Sequence, residues 1–241
     1  LFMENNNRFL EVCAAGERAG LYYTPVNSYL KADELAYIVQ NSESQVLITS
    51  RSRREVAMEA AVMCPRLKLC LIVDGTGDDG NFLDYATEVA KFPSTPIEDE
   101  SLGVSMMYSS GTTGRPKGIL RPLQDSAPDT PLPLWGFLDG LWKYRDGMRY
   151  LSPAPLYHSA PQAAVGLTLR RGGTVIIMEH FDPEDYLRLV EKYKVTSFYT
   201  APTAIRALMK FSNDYVTKYD RSSLKVLGSV GEPINPEAWR W

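Results

Sequence analysis

Residues 149–200 read RYLSPAPLYHSAPQAAVGLTLRRGGTVIIMEHFDPEDYLRLVEKYKVTSFYT. Three short apolar runs rich in β-forming residues, at 149–152, 174–178 and 196–199, alternate with two stretches that read as helices. The first helix covers 159–170. The second opens at Asp182-Pro183-Glu184 and runs to about Lys194. Asp182 is suited to cap that helix, and Pro183 falls at its first position, where a missing N–H costs nothing. Strand–helix–strand repetition implies right-handed crossovers and a parallel sheet covered by helices. The expected fold class is therefore α/β, with parallel-rich sheets flanked by helices.

Outward from this stretch the pattern continues. Residues 203–210 read as a helix and 224–230 as a strand. On the N-terminal side, 102–108 is an apolar run that leads into a loop rich in Gly, Ser and Thr. Residues 121–133 hold four prolines without periodicity and read as a surface loop or the rim of a cleft. A separate series precedes these. It comprises a helix at 7–19 (Phe9, Leu10, Val12, Cys13), a helix at 31–40 (Leu35, Tyr37, Ile38, Val39) and a strand at 45–49. A helix at 53–63 stopped by Pro65, a strand at 67–73 and the turn-rich loop DGTGDDGN at 74–81 follow. The two series predict a division into 1–100 and 101–241.

Bulk properties exclude several classes. A net charge of -3 supplies no basic field for nucleic acid or an acidic membrane surface. No apolar run approaches the roughly 18 residues needed to span a bilayer. The start, LFMENNNRFLEV, lacks the basic region and apolar core of a secretory leader. Cys13, Cys64 and Cys70 lack metal-site or disulfide spacing, so they read as small buried hydrophobes in a reducing compartment. A cytoplasmic location is expected. The abrupt first and last residues suggest part of a longer protein.

Chemistry concentrates in three loops. Residues 108–118 read YSSGTTGRPKG. Ser109, Ser110, Thr112 and Thr113 carry hydroxyl donors. Gly111 and Gly114 let backbone N–H groups approach an anion, and Lys117 adds a positive charge behind the stiffening Pro116. Such a loop suits a polyphosphate. It is not the Walker A pattern, which needs Gly directly before the Lys, and it is not G-x-G-x-x-G. The second loop, 150–161, reads YLSPAPLYHSAP and holds Tyr157 and His158, one of two histidines. The other, His180, precedes a helix cap and reads as structural. The third, after the 224–230 strand, holds Gly231, Glu232 and Pro233. Thr200, Ala201 and Pro202 follow another strand end. In open α/β sheets, ligands bind at the carboxyl ends of strands. No G-x-S-x-G elbow of a serine hydrolase occurs, since Gly228-Ser229-Val230-Gly231 lacks the spacing.

These segments resemble the adenylate-forming superfamily of acyl-CoA synthetases, luciferases and peptide adenylation domains. YSSGTTGRPKG is similar to its phosphate-loop signature, and YLSPAPLYHSAP to its second motif. Up to about Val195, including LYYTPVNSYLKADELAYIVQNSESQVLITS at 21–50, the chain resembles fatty-acyl-CoA ligases. From Phe198, through FYTAPTAIRALM and SLKVLGSVGEPINPEAW, it resembles acetyl- or propionyl-CoA synthetases. Acyl size is left open by that mixture.

The resemblance implies an AMP-forming acyl-CoA synthetase acting on a small-molecule carboxylate, with ATP, Mg2+ and coenzyme A. Ser109 to Gly114 would cradle phosphates, with Thr113 the principal hydroxyl, and Lys117 would offset the charge of leaving pyrophosphate. His158 would line the border between acyl pocket and α-phosphate, with Tyr157 packed beside it. Gly231, Glu232 and Pro233 would contact adenine or ribose, and Thr200, Ala201 and Pro202 would shape the acyl or coenzyme A channel. The family's aromatic–Thr–Glu segment, ribose-binding Asp, late lysine and C-terminal lid domain are not in these residues, so the 241-residue chain by itself is expected not to complete the reaction. A nucleotide-binding module without catalysis, or an adenylation domain serving another acceptor, are the alternatives.

Overall fold

The computed structural model of the chain describes residues 1–77, 79–109 and 114–229. The chain divides into two compact units, Leu1–Thr130 and Pro131–Trp241.

In the first unit, α1 (Asn7–Arg18) starts where the Asn6 side chain accepts from the Phe9 N–H, and ends on the basic residue that suits a helix C-terminus. It is followed by β1 (Tyr22–Tyr23), α2 (Ala32–Asn41), β2 (Val46–Ser50) and α3 (Arg54–Val62). Next come β3 (Leu69–Val73), β4 (Leu83–Asp84), α4 (Tyr85–Val89), β5 (Val104–Ser105), β6 (Met107–Ser109) and β7 (Lys117–Ile119). Strands β2, β3 and β4 form a parallel sheet in that order. Leu35, Ile38 and Val39 of α2 fall at i, i+3 and i+4, on its buried side. They pack with Leu47, Ala57, Ala60 and Ile72 into one core cluster.

The strand expected over 102–108 breaks at Met106. Its two halves bond to different partners. The N–H groups of Val104 and Met106 donate to the carbonyls of Leu21 and Tyr23, giving the parallel β1–β5 pair. Met107–Ser109 pairs antiparallel with β7 instead. Segment 101–105 thereby joins the first unit, so the compact units divide after Thr130 rather than after residue 100.

In the second unit, α5 (Pro133–Trp142) precedes β8 (Arg149–Ser152), α6 (Ser159–Arg170), β9 (Thr174–Ile177), α7 (Pro183–Tyr193) and β10 (Ser197–Thr200). Then come α8 (Pro202–Leu208), α9 (Asn213–Val216) and β11 (Val226–Ser229). The sheet is wholly parallel, ordered β11-β10-β8-β9. Asp182 caps α7 by accepting from the Asp185 N–H, Pro183 lies in its first turn, and Lys194 ends it in the left-handed region. Leu187 and Val190 of α7 pack on Leu151, Phe198 and Leu208. The α/β class with parallel sheets flanked by helices is as expected. Helix α5 was not foreseen, and none of its residues is buried. It is held at points. Asp139 pairs with Arg171, the Arg170 guanidinium lies 3.9 Å from the Trp135 ring centroid, and the Tyr199 hydroxyl donates to the Trp142 carbonyl.

Two glycines make opposite predictions. A Cβ at Gly103 would run into the backbone carbonyl oxygens of Gly16 and Leu21. Gly103→Ala should therefore lower stability by about 1–3 kcal/mol. A Cβ at Gly166, inside α6, meets nothing within 4 Å. Gly166→Ala should raise stability by about 0.4–1 kcal/mol, mostly by restricting the unfolded chain. Urea unfolding midpoints of the two variants should move in opposite directions.

Candidate active site

The stems of the Gly/Ser/Thr loop are anchored on α2. Tyr108 donates to Asn41 Oδ1 at 2.7 Å, and its phenol is pushed up to about 12, chiefly by desolvation. Tyr37 donates to the Pro116 carbonyl at 3.2 Å, and the Arg115 guanidinium sits 4.9 Å from the Tyr37 ring centroid. Lys117 stands in β7, opposite Ser109 in β6, and both are exposed. The lysine is thus fixed by a strand pair rather than carried on a free loop. Gly114 has φ 107°, in the region that favours glycine. Ser110, Gly111, Thr112 and Thr113 lie outside the described residues, as do Gly231, Glu232 and Pro233.

The second unit holds a cavity of about 410 Å³ at the carboxyl ends of β8 and β10. Its place follows from the parallel sheet. Ser197 and Phe198 register with Tyr150 and Leu151, so β8 and β10 deliver the loops bearing His158 and Ala201 to the same sheet edge. Trp142, Tyr144, Tyr150 and Tyr199 supply aromatic wall. Small residues of α6, among them Ala160, Ala163 and Ala164, leave the space open. The Trp142 and Tyr199 rings meet edge to face with centroids 4.0 Å apart, and Tyr144 and Tyr150 lie 5.8 and 5.5 Å from Tyr199. Desolvation pushes the Tyr199 phenol up to about 12 and those of Tyr144 and Tyr150 higher still, so all three stay neutral. Among the described residues, no lining side chain is Asp, Glu, Lys or Arg.

Of the residues singled out from the sequence, the structure brings His158, Thr200 and Ala201 together on this cavity. His158 is the cap residue preceding α6 and is solvent-exposed at the rim. Surrounding protein still desolvates its ring and lowers its pKa from the usual 6.5. The imidazole is neutral near neutral pH, with one N–H to donate and one nitrogen to accept. Tyr157 packs beside it, ring centroids 4.5 Å apart, but is not among the cavity's lining residues. Pro202 is buried as the first residue of α8 and starts that helix rather than lining the cavity.

Sequence reasoning missed Tyr37, Trp142, Tyr144, Tyr150 and Tyr199 as parts of these sites. Tyr150 and Tyr199 have the composition of ordinary core strands, and Tyr37 that of an amphipathic helix. Only the apolar stretch PLWGFLDGLW at 133–142 carried a signal that could have been used.

A sequence model of the family described as AMP-binding enzyme matches residues 1–241. The chain belongs to the AMP-binding enzyme family. An acetyl-coenzyme A synthetase of Novosphingobium aromaticivorans is 32% identical over 249 aligned positions, which cover 93% of this chain and 37% of that protein. The chain therefore spans little more than a third of the length of such AMP-binding relatives. The likeness to acetyl-coenzyme A synthetases also reaches well before residue 196. Among solved structures, an anthranilate CoA ligase, AuaEII, in complex with anthranoyl-AMP is similar with a TM-score of 0.81 at 21% identity. That match covers 99% of this chain and 46% of that one. The N-terminal domain of FACL13 from Mycobacterium tuberculosis matches with a TM-score of 0.80 at 21% identity, covering 99% and 57%. These two show the fold. Binding of ATP with Mg2+ is typical of the superfamily.

The His158 shift has a sign that can be tested. Folding lowers its pKa, so the folded state binds fewer protons than the unfolded one on acidification. Its contribution is fully present above 6.5 and is lost as pH falls through the lowered folded value. NMR titration should find the His158 ring titrating below 6.5. His158→Gln should flatten the stability-versus-pH slope in that window, and an unchanged slope would count against the desolvated rim.

Proposed function

We propose that this chain supplies the phosphate loop and acyl pocket of an AMP-forming acyl-CoA synthetase. The observation that carries the reading is the cavity at the carboxyl edge of the parallel sheet, with His158 at its rim, in a chain that also carries YSSGTTGRPKG. The substrate is a carboxylic acid, with MgATP and coenzyme A as co-substrates, in the cytoplasm.

The apolar cavity takes the acid tail-first and leaves its carboxylate at the rim. A carboxylate oxygen then attacks the α-phosphorus of MgATP. The new C–O–P bond forms as the bond to pyrophosphate breaks. In the second half the sulfur of coenzyme A attacks the acyl carbon, the thiol proton passes to solvent or base, and AMP leaves. Little covalent help is needed in the first half. It depends on in-line placement and on donors aimed at the charged phosphate oxygens. The hydroxyls and N–H groups of Ser109 to Gly114 hold the β- and γ-phosphates, with Thr113 foremost. Lys117, fixed in β7 against Ser109, offsets charge on departing pyrophosphate. Neutral His158 orients the attacking carboxylate by hydrogen bonding without capturing it as an ion partner. Gly231, Glu232 and Pro233 receive the adenosine.

ATP–pyrophosphate exchange in the full gene product containing this chain tests the reading. Acid-dependent exchange is expected, and Lys117→Ala should reduce it by about a hundredfold, as loss of one preorganised donor does. ATP binding with no exchange for any acid tried would identify a non-catalytic nucleotide module instead. Exchange without thioester formation on adding coenzyme A would point to another acceptor.

A further inference from the structure

The cavity sets a size and a chemical class for the acid. We infer that its substrate is a monocarboxylic acid with a bulky apolar tail, aryl-bearing by preference, and that Gly228 keeps the pocket wide enough for it. This rests on the reading of the cavity as the acyl site.

Volume comes first. About 410 Å³ falls within the roughly 300–1,000 Å³ of pockets that bury small organic ligands, well beyond a two-carbon acid. Acetate would leave most of that space empty and its apolar walls without partners. Chemistry comes second. With no charged side chain among the described lining residues, a second carboxylate or an ammonium group on the tail would be buried unpaired against that wall, which is costly. Dicarboxylic and amino acids are therefore disfavoured. Shape comes third. Four rings, Trp142, Tyr144, Tyr150 and Tyr199, meet at tilted or edge-to-face angles around Tyr199. A flat aryl tail can join that arrangement edge to face or offset-stacked, which an alkyl chain cannot.

Gly228 controls the wall from behind. It sits in β11 directly opposite Tyr199 in β10. A Cβ there would lie 2.5 Å from Trp142 Cζ3 and run into the Tyr199 ring. Both rings line the cavity. Any side chain at 228 must displace one or both, and with α5 held to β10 by the Tyr199 hydroxyl on the Trp142 carbonyl, the displacement changes the pocket. Gly228 thus determines specificity without touching substrate.

The experiment compares acetate, octanoate, 3-phenylpropanoate and phenylsuccinate with the full gene product and two variants. Gly228→Ala shifts the ring wall, and Ala163→Leu fills the cavity from α6 without altering strand packing. Thermal unfolding confirms that each variant folds, and Ala163→Leu alone suffices if Gly228→Ala does not. Ligand-detected NMR without ATP reads binding, and pyrophosphate exchange reads turnover. The expected result is a kcat/KM for 3-phenylpropanoate at least tenfold above that for acetate, with octanoate between them and phenylsuccinate poor. In each folded variant the ratio of 3-phenylpropanoate to acetate should fall at least tenfold. Exchange with acetate equal to or better than with 3-phenylpropanoate overturns the inference while leaving adenylation standing. Binding of 3-phenylpropanoate that Ala163→Leu abolishes, with no exchange for any acid, supports the pocket assignment and overturns adenylation. No binding and no exchange with any of the four overturns the inference.

Discussion

Strand β10 is buried along its whole length, from Ser197 to Thr200, and the rest of the second unit is arranged around that fact. A central parallel strand must bury both faces, because crossover helices cover both sides of its sheet. Side chains alternate along it, so Phe198 and Tyr199 point to opposite faces. Phe198 enters the core with Leu151, Leu187 and Val190, and meets the Tyr186 ring at 4.8 Å. Tyr199 faces the other way, where α5 and α6 leave a cavity in place of a packed layer. One strand therefore holds the fold together on one side and builds the wall of a cavity on the other.

The same strand places the chemistry. Its register with β8 brings the ends of both strands to one edge, so that His158 and Thr200, forty-two residues apart in sequence, line one space. Its register with β11 places Gly228 behind Tyr199. The geometry of the pocket is thus a by-product of sheet pairing. A shift of the pairing by one residue would turn Tyr199 from the cavity into the core and break the arrangement.

The crossovers were legible because their signals are local. Asp182-Pro183 caps a helix by its own chemistry, and runs such as TVII at 174–177 have few other uses. What stayed hidden depends on partners distant in sequence. The break at Met106 arises because β5 bonds to β1, about eighty residues earlier, while β6 bonds forward to β7. Lys117 looked like a loop residue because its three-residue strand exists only through pairing with Met107–Ser109. Helix α5 was obscured by two glycines, an opening proline and apolar residues on all sides, a pattern without a clear buried stripe. In the site, His158 and Thr200 stood out as polar residues at strand ends. Tyr150 and Tyr199 did not, because a wall ring and a core ring have the same sequence signature until the neighbouring helix fails to fill the space.

That failure of filling also decides where charge can sit. A carboxylate carried among the Trp142, Tyr144, Tyr150 and Tyr199 rings would lose its hydration with no cation among the described lining residues to compensate, a cost of several kcal/mol or more. An apolar group has no such cost and gains contact with the walls. Solvation alone therefore favours apolar groups in the cavity and charge at the rim, where His158 is solvent-exposed and neutral. A charged histidine there would attract any carboxylate as an ion partner, whereas lowering the imidazole pKa by desolvation leaves a neutral hydrogen-bonding group. The apolar cavity and the neutral rim are two consequences of one property, the removal of water from the carboxyl edge of the sheet.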